Sequence, residues 1–376
     1  MKLKILLTSV VLFFATISFA EAASYYIKNG GNDNANGLSD ASAWATIKKI
    51  NDYAEHTGFS DGSVIQFKRG DTFTDETLGY HGGSSSYNTS YIVDWGEITG
   101  LTFQAYGVGS KPRLGQGVNQ AIFIHGSTDS STPSPTVHNL LIKDLDVSGD
   151  SPISILNNNL VEVYLVDGVV LDGLYGDGYM RGAITREGQG VSLTACVGDL
   201  EIKNCEIFNQ GPTNMPVIGK DNHNIHVRNR DGGPYPNSLE IHDNIAYNAN
   251  ADNLQIANYQ GPAVAHVYNN TFYNFGENAI DLKSDSYVDV YNNDITRGGW
   301  GLGGSSGGNC AIAFTNSHGS AFPNSPPPNN YNIYNNYFGP DRYWHIRAMY
   351  CDNCTIRGNF FDGATCSVHV LFSSFW

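Results

Sequence analysis

Charged residues are scarce in this sequence. Only 15% of the 376 residues are Asp, Glu, Lys or Arg, and 36 acidic residues against 21 basic ones give a net charge of −15. So strong a negative balance argues against nucleic acid or an anionic membrane surface as a partner. It leaves an anionic polymer of another kind open, because a local basic groove or a bound calcium ion can override the net charge.

Long apolar runs are absent after residue 20. Before it, Lys2 and Lys4 precede an apolar stretch over 5–20 that only Thr and Ser interrupt, and Ala20-Glu21-Ala22 follows. This is the pattern of an export signal with a small-x-small cleavage site. We predict a signal peptide over 1–22 and one secreted domain over 23–376, extracellular or periplasmic, with no membrane span in the mature chain. A retained N-terminal anchor is the alternative.

Cysteine is also sparse, with six residues in the chain. Cys351 and Cys354 form a C-x-x-C pair, but no second such pair and no matching pair of histidines accompanies it. Zinc binding and redox chemistry both need more than this. A local disulfide, which export would permit, or buried thiols are therefore the favoured interpretations.

Glycine and asparagine are abundant, and a short pattern containing them recurs. An apolar residue is followed by any residue, then Asn or Asp, often a second Asn, and then alternating residues. Eight copies begin at Ile142 (IKDLDV), Val170 (VLDGLY), Ile202 (IKNCEI), Ile241 (IHDNIA), Val267 (VYNNTF), Val290 (VYNNDI), Ile333 (IYNNYF) and Ile356 (IRGNFF). Each copy reads as two short strands about a bend, and one such coil cannot bury its apolar side alone.

The repeat predicts an all-β fold, a right-handed parallel β-helix in which the coils stack. A helical stretch over 44–53 is predicted to cap the N-terminal end of the stack. The second Asn of the repeat is expected to form a hydrogen-bonded ladder along the axis and to adopt the left-handed bend geometry. Cys205 falls in the same column and is therefore expected to be buried and inert. The ladder positions are Asn244, Asn270, Asn293, Asn336 and Asn359.

A second strand precedes each repeat and carries the candidate functional residues. Its apolar members are expected to point inward, and the residues between them outward. One outward column contains Ser192, His226, Gln255, Asp281, Ala313 and Arg347. The next contains Thr194, Arg228, Ala257, Lys283, Thr315 and Met349. With coils about 4.8 Å apart, Arg228 and Lys283 are expected about 10 Å apart on one face.

These side chains fit the cleavage of an acidic sugar chain by β-elimination. The reaction removes a proton next to a carboxylate that must be neutralised by a cation or metal. Lys283 is the candidate base, with its pKa lowered by its neighbours, and Asp281 orients it or holds calcium. Arg228 is the second catalytic cation. The alternative is that Asp281 and Lys283 form an ordinary surface ion pair.

Substrate and metal ligands are predicted around the same face. Arg228 and Arg347 are expected to grip carboxylates, His226 and Gln255 to contact the substrate, and Trp300 to stack on a sugar ring. Calcium prefers six to eight oxygen ligands, and three acidic side chains lie on or before these strands. The predicted Ca²⁺ ligands are Asp252, Asp281 and Glu277. Solvated turn acids are the alternative.

The N-terminal segments 25–33 (YYIKNGGND) and 44–47 (WATI), with the coil repeat over roughly 64–372, resemble the pectate-lyase-like superfamily of right-handed parallel β-helices. The resemblance is nearest to calcium-dependent polysaccharide lyases with a Lys base, such as the family 9 pectate lyases. It implies Lys283 as base and Asp252 and Asp281 as calcium ligands. The chain has no Asp-Asp pair, which counts against a polygalacturonase-like hydrolase.

We therefore predict a secreted, monomeric polysaccharide lyase acting on an acidic, uronate-containing polymer such as pectate or alginate. A non-catalytic carbohydrate-binding β-helix remains the main alternative. A uronate epimerase shares the proton-abstraction chemistry. A glycoside hydrolase would need two carboxylates, which Asp252 and Asp281 could supply.

Overall fold

The structure of the protein is a computed structural model. It describes residues 22–74, 76–80, 92–115, 120–127, 134–149, 159–178, 188–210, 222–229, 235–257, 264–283, 287–296, 298, 310–314, 330–340, 344–349, 353–363 and 368–371. Residues 1–21 of the predicted signal peptide and Trp300 lie outside these ranges. Within them, no helix is both long enough and apolar enough to cross a membrane.

The described chain forms a right-handed parallel β-helix built from three sheets, as predicted. Every pairing between its named strands is parallel, and each coil contributes successive strands to the different sheets. Strands are numbered in chain order.

Sheet 1 consists of β1 (Ser24–Ile27), β2 (Val64–Lys68), β3 (Ile98–Thr99), β4 (Thr102–Tyr106), β6 (Val137–Lys143), β8 (Asp167–Asp172), β11 (Val197–Lys203), β14 (Pro236–His242), β17 (Ala265–Tyr268), β20 (Val288–Tyr291), β23 (Tyr331–Tyr334) and β26 (Cys354–Arg357). Sheet 2 consists of β5 (Ile122–His125), β7 (Val161–Tyr164), β10 (Gln189–Thr194), β13 (His223–Arg228), β16 (Leu254–Ala257), β19 (Asn278–Lys283), β22 (Cys310–Phe314), β25 (Trp344–Met349) and β28 (Val368–Leu371). Sheet 3 consists of β9 (Tyr175–Asp177), β12 (Glu206–Phe208), β15 (Ile245–Ala249), β18 (Thr271–Phe275), β21 (Asp294–Thr296), β24 (Tyr337–Phe338) and β27 (Phe360–Phe361).

One α-helix, α1 (Ile47–His56), covers the first coil. The side chain of Thr46 accepts a hydrogen bond from the Lys49 amide and starts the helix. Ile47, Ile50 and Ala54 are buried at helical spacing in the same core as β1 and β2. The predicted start at residue 44 is wrong, because the backbone of Trp44 exchanges hydrogen bonds with the strand segment that contains Tyr26.

The asparagine ladder between sheets 1 and 3 is confirmed. Asn270 is 1% exposed and its Oδ1 accepts hydrogen bonds from the backbone and side-chain N–H groups of Asn244, both at 3.0 Å. The amide of Cys205 donates to Asn244 Oδ1 at 3.0 Å, so this buried thiol occupies the end of the ladder. Cys205 is free, and burial raises its pKa to about 12.

The predicted left-handed conformation belongs to the residue before each ladder position. Asp243, Asn269 and Asn292 have φ values of 55°, and their ladder neighbours are outside the left-handed region. The exposed first residue makes the turn, and the second can then point inward to bond the next coil. The assignment of both roles to one asparagine is therefore wrong.

One copy of the repeat also begins a residue later than predicted. Leu171, not Val170, pairs with Ile142 on one side and Ile202 on the other. Leu171 is buried and Val170 is only partly so, because side chains alternate between the two faces of a strand. The copy lacks the asparagine pair that marks the bend in later coils.

Candidate active site on sheet 2

The two predicted outward columns on sheet 2 are confirmed by the strand register. Ser192, His226, Gln255 and Asp281 are consecutive partners across β10, β13, β16 and β19. In the next column Arg228 pairs with Ala257, and Ala257 pairs with Lys283. Alternation along each strand places both columns on the face opposite the apolar core.

This face is largely covered rather than open. Gln255 is 7% exposed and Asp281 is 2% exposed, whereas Lys283 keeps about a third of its side chain accessible, at 32%. His226 is half-buried and Arg228 is exposed. The accessible part of the face therefore consists of a few nitrogen-bearing side chains above a buried carboxylate.

Lys283 and Asp281 form an ion pair, with 2.8 Å between Nζ and Oδ2. Burial, and after it the charge of Asp252, raise the pKa of Asp281 against the opposing effect of Lys283, and the resulting pKa is about 6. Burial lowers the pKa of Lys283, but Asp281 and Asp252 outweigh it, so the pKa lies above its ordinary value. The prediction that neighbours lower the pKa of Lys283 is therefore wrong. The alternative of an ordinary surface ion pair is also wrong, because the Asp281 side chain is buried.

Asp252 lies beneath this pair, fully buried and hydrogen-bonded on both oxygens. Its Oδ1 accepts from the backbone and side-chain N–H groups of Asn278, at 3.0 and 2.8 Å. Its Oδ2 lies 3.2 Å from Gln255 Nε2 and 3.1 Å from His223 Nδ1. The same Gln255 nitrogen is 3.3 Å from Asp281 Oδ2, so one amide bridges the two carboxylates.

The predicted calcium ligands Asp252 and Asp281 do not present a fitting donor set. Calcium needs six to eight oxygens directed at one point. Here an ammonium and several amide N–H groups occupy the carboxylate oxygens. Glu277 is 2% exposed, and no group of three or more His, Cys, Asp or Glu side chains among the described residues is arranged to hold a metal ion. The calcium site stays a prediction.

His226 is a neutral imidazole next to cations. Burial lowers its pKa well below the ordinary value, and His223, Arg228 and Lys283 lower it further. Its ring lies 5.6 Å from that of His223. At neutral pH the imidazole has a free nitrogen lone pair that can accept a proton, although the lowered pKa makes it a weaker base; an ammonium with a raised pKa has no free lone pair.

Arg347 lies farther along the same face. It pairs with Ala313, which pairs with Asp281, so two coil steps separate Arg347 from the ion pair. Its guanidinium carbon lies 5.5 Å from the ring of Trp344, the residue that begins the same strand. Of the predicted substrate-contacting residues, Arg347, His226 and Gln255 therefore share one face.

Sequence analysis missed His223 and Asn278 as parts of the site. Both lie three residues before an outward position, His223 before His226 and Asn278 before Asp281. Asp252 lies at the same offset before Gln255, and it contacts both residues, at 3.1 Å from His223 Nδ1 and 2.8 Å from Asn278 Nδ2. The recurring polar residue at this offset was the available signal.

The described cysteines include one disulfide-bonded residue and buried thiols. Cys354 is disulfide-bonded, and whether the bridge is local stays a prediction. Cys196 and Cys310 are buried thiols. Cys310 Sγ lies 3.1 Å from Asn278 Oδ1, and burial raises its pKa, so this thiol is a packing element beside the site and not a nucleophile.

The architecture occurs in solved structures of other proteins. An alginate lyase from Paenibacillus sp. strain FPU-7 aligns with a TM-score of 0.53 at 14% identity, over 87% of this chain and 95% of that one. The chain shares the parallel β-helix fold of that protein. Two weaker matches are the A-module of the Azotobacter vinelandii mannuronan C-5 epimerase AlgE6, with a TM-score of 0.46 at 11% identity over 93% and 86%, and the pectate lyase Pel9A, at 0.41 and 10% over 90% and 78%.

No protein-family model matches the sequence, and no curated protein is detectably similar to it. At identities this low the likeness to solved structures concerns the fold alone, and the same fold carries many activities. Function has to be argued from the residues on sheet 2.

Proposed function

We propose that this protein is an exported polysaccharide lyase that cleaves an acidic, uronate-containing polymer by β-elimination. The supporting observation is the neutral imidazole of His226 on one face with two cations, Arg228 and Lys283. β-Elimination needs both, because a carboxylate must be neutralised while the proton beside it is removed.

Each group has one role in the proposed reaction. Lys283, held by Asp281, neutralises the carboxylate of the reacting sugar, and Arg228, two coils away, holds another carboxylate of the same polymer. His226 takes the proton from the carbon next to that carboxylate, and the electron pair left behind is held as an enolate. The enolate collapses to a carbon–carbon double bond, the glycosidic carbon–oxygen bond at the β-position breaks, and the leaving oxygen takes a proton from water or from the imidazolium.

This differs from the sequence-based role of Lys283 as base. The raised pKa keeps the ammonium charged at neutral pH, which suits it to stabilise an enolate and not to accept a proton. Buried Asp281 supports that role because it holds the ammonium in one place.

The test is incubation of the purified protein with pectate, alginate and other uronate polymers while ultraviolet absorbance is followed. Unsaturated sugar ends absorb, and saturated ends do not. We expect absorbing products from at least one polymer. Their absence from every polymer would overturn the proposal. Inverted sugar configuration without chain cleavage would instead identify an epimerase.

A second candidate function is glycoside hydrolysis by Asp252 and Asp281. Both carboxylates contact Gln255 Nε2, and the raised pKa of Asp281 suits a general acid. Asp252 is fully buried, however, and would have to reach a sugar carbon through its hydrogen-bonded neighbours. Release of reducing ends without ultraviolet absorbance would favour this candidate over the lyase.

A further inference from the structure

Three cations recur along the accessible face of sheet 2 at intervals of two coils. Arg228 and Lys283 are separated by the coil of Ala257. The coil of Lys283 and that of Arg347 are separated by the coil of Ala313. With coils about 4.8 Å apart, each interval is about 10 Å along the axis.

Among the residues that the structure describes, the two outer cations, Arg228 and Arg347, have no carboxylate partner. No ion pair involves Arg228 or Arg347 within the described ranges, and the buried Nε of Arg347 lacks a hydrogen-bond acceptor there. On sheet 1, by contrast, Lys203 lies 2.7 Å from Glu201 and Lys143 lies 3.1 Å from Asp172. Unpaired guanidinium groups are available to an external anion, and Arg binds carboxylates with two parallel hydrogen bonds.

Small residues separate the cations. Ala257 is 8% exposed and Ala313 is 5% exposed, and neither offers a charge. Arg347 lies in the column of Asp281, two residues before the column that contains Lys283. The long side chain of Arg347 can span that offset. The face therefore alternates between coils with a cation and coils with an alanine.

This period matches one type of polymer. In an extended 1,4-linked uronate chain each sugar advances by roughly the rise of one coil. In a chain with two-fold symmetry, successive carboxylates point to opposite sides, so every second one meets the protein. A three-fold chain presents every third carboxylate and falls out of step with the cations.

We propose that the face of sheet 2 binds a two-fold, extended 1,4-linked uronate chain parallel to the helix axis, with alternate carboxylates on Arg228, Lys283 and Arg347. The proposal rests on the proposed function for the occupant of the central position. It adds the chain conformation, the direction of binding and a site five sugars long, one for each coil from Arg228 to Arg347.

The experiment measures affinity by calorimetry for oligomers of two to six units. Oligomannuronates represent the two-fold chain and oligogalacturonates the three-fold chain. The His226→Gln variant serves as background to prevent cleavage, and ultraviolet absorbance is followed in parallel. If this variant still cleaves, His226 is not the base, and the same length dependence is read from initial kcat/KM values.

For oligomannuronates we expect affinity to rise in two steps of about tenfold each, from two to three units and from four to five. Three units bridge two cations, and five bridge all three. Arg228→Gln or Arg347→Gln should remove the second step and keep the first, and the double variant should remove both. Arg357→Gln is the matched control, because Arg357 stacks on Tyr334 on sheet 1, 4.5 Å from its ring.

An even rise with each added unit, equal steps for oligogalacturonates, or losses no larger than that of Arg357→Gln would overturn the inference. Length steps without unsaturated products would leave the binding mode intact and reject the lyase. Unsaturated products without length steps would support the lyase and reject the binding mode.

Discussion

The Asp281–Lys283 pair differs from the exposed ion pairs of the molecule in the burial of its acid. The carboxylates paired with Lys48 and Lys68 are 38% and 49% exposed, whereas Asp281 is 3% exposed in its side chain. Exposed pairs contribute little to stability. Asp281 holds the Lys283 ammonium in one position. The burial of Asp281 and the nearby charge of Asp252 disfavour its ionised form, and this cost lowers the free energy of unfolding.

That cost gives a pH-dependent prediction. The pKa of Asp281 is about 6 in the folded state against 3.8 as its ordinary value. Between these values the folded protein holds the proton and the unfolded chain does not, so stability should fall as pH rises from 4 to about 6. The urea midpoint of the wild type should decrease over this range relative to that of Asp281→Asn. A constant difference between the two proteins would contradict the raised pKa.

His226 is predicted to be the base, so its replacement should have the largest effect on catalysis. His226→Gln is expected to lower kcat about 10²- to 10⁴-fold, the range for loss of general base catalysis. His266→Gln is the matched control, since His266 is half-buried on sheet 1 and remote from the columns of sheet 2. Equal activity of the two variants would remove His226 from the mechanism.

The positions of Lys283, Arg228 and His226 on one face were predicted from the sequence, but their ionisation was not, and His223 and Asn278 were missed. Alternation along strands is enough to place Lys283, Arg228 and His226 on one face. The direction of the Lys283 pKa depends on how deeply Asp252 and Asp281 are buried, which involves coils far apart in the chain. No local pattern contains that information.

At the scale of elements, the asparagine ladder joins successive coils. Asn270→Ala should leave the buried Asn244 amide and the Ile241 carbonyl without their side-chain partner. We expect a loss of about 2–5 kcal/mol in the free energy of unfolding, measured by urea denaturation. A loss in the free energy of unfolding smaller than that caused by replacing an exposed Asn with Ala would show that the ladder is not a stabilising feature.

The turn before the ladder gives a separate prediction. Asn269 is exposed and has a φ of 55°, where a β-branched side chain is strained. Asn269→Val should cost about 1–2 kcal/mol. Asn269→Gly, the matched variant, should be nearly neutral because glycine adopts this conformation freely. Equal effects of the two substitutions would show that the backbone conformation is not the cause.

The register of the repeat was predicted correctly for every copy except the one assigned to Val170. In that copy Val169, Val170 and Leu171 are all apolar, so the pattern does not show which residue points inward, and the prediction is off by one residue. The start of helix α1 was predicted too early. An apolar residue such as Trp44 fits both a helix and a strand edge, and only its backbone hydrogen bonds with the segment that contains Tyr26 assign it to the strand edge.

At the scale of the whole molecule, the proposed function depends on the positive charge of one face, that of sheet 2. The net charge is −15, yet three cations recur along sheet 2 in a period set by the coils. The β-helix supplies this period because every coil adds the same rise. An overall repulsion of anionic polymers and a local attraction can therefore exist in one protein.

The central claim is that Lys283 acts as a fixed cation on the same face as a neutral base, His226. The most direct test compares kcat/KM for unsaturated product formation by Lys283→Arg and Lys283→Met. If Lys283 neutralises the substrate carboxylate, Arg should retain most of the activity and Met should lose about 10²–10³-fold. Equal loss in both variants would instead make Lys283 the base, and full activity in both would make the pair purely structural.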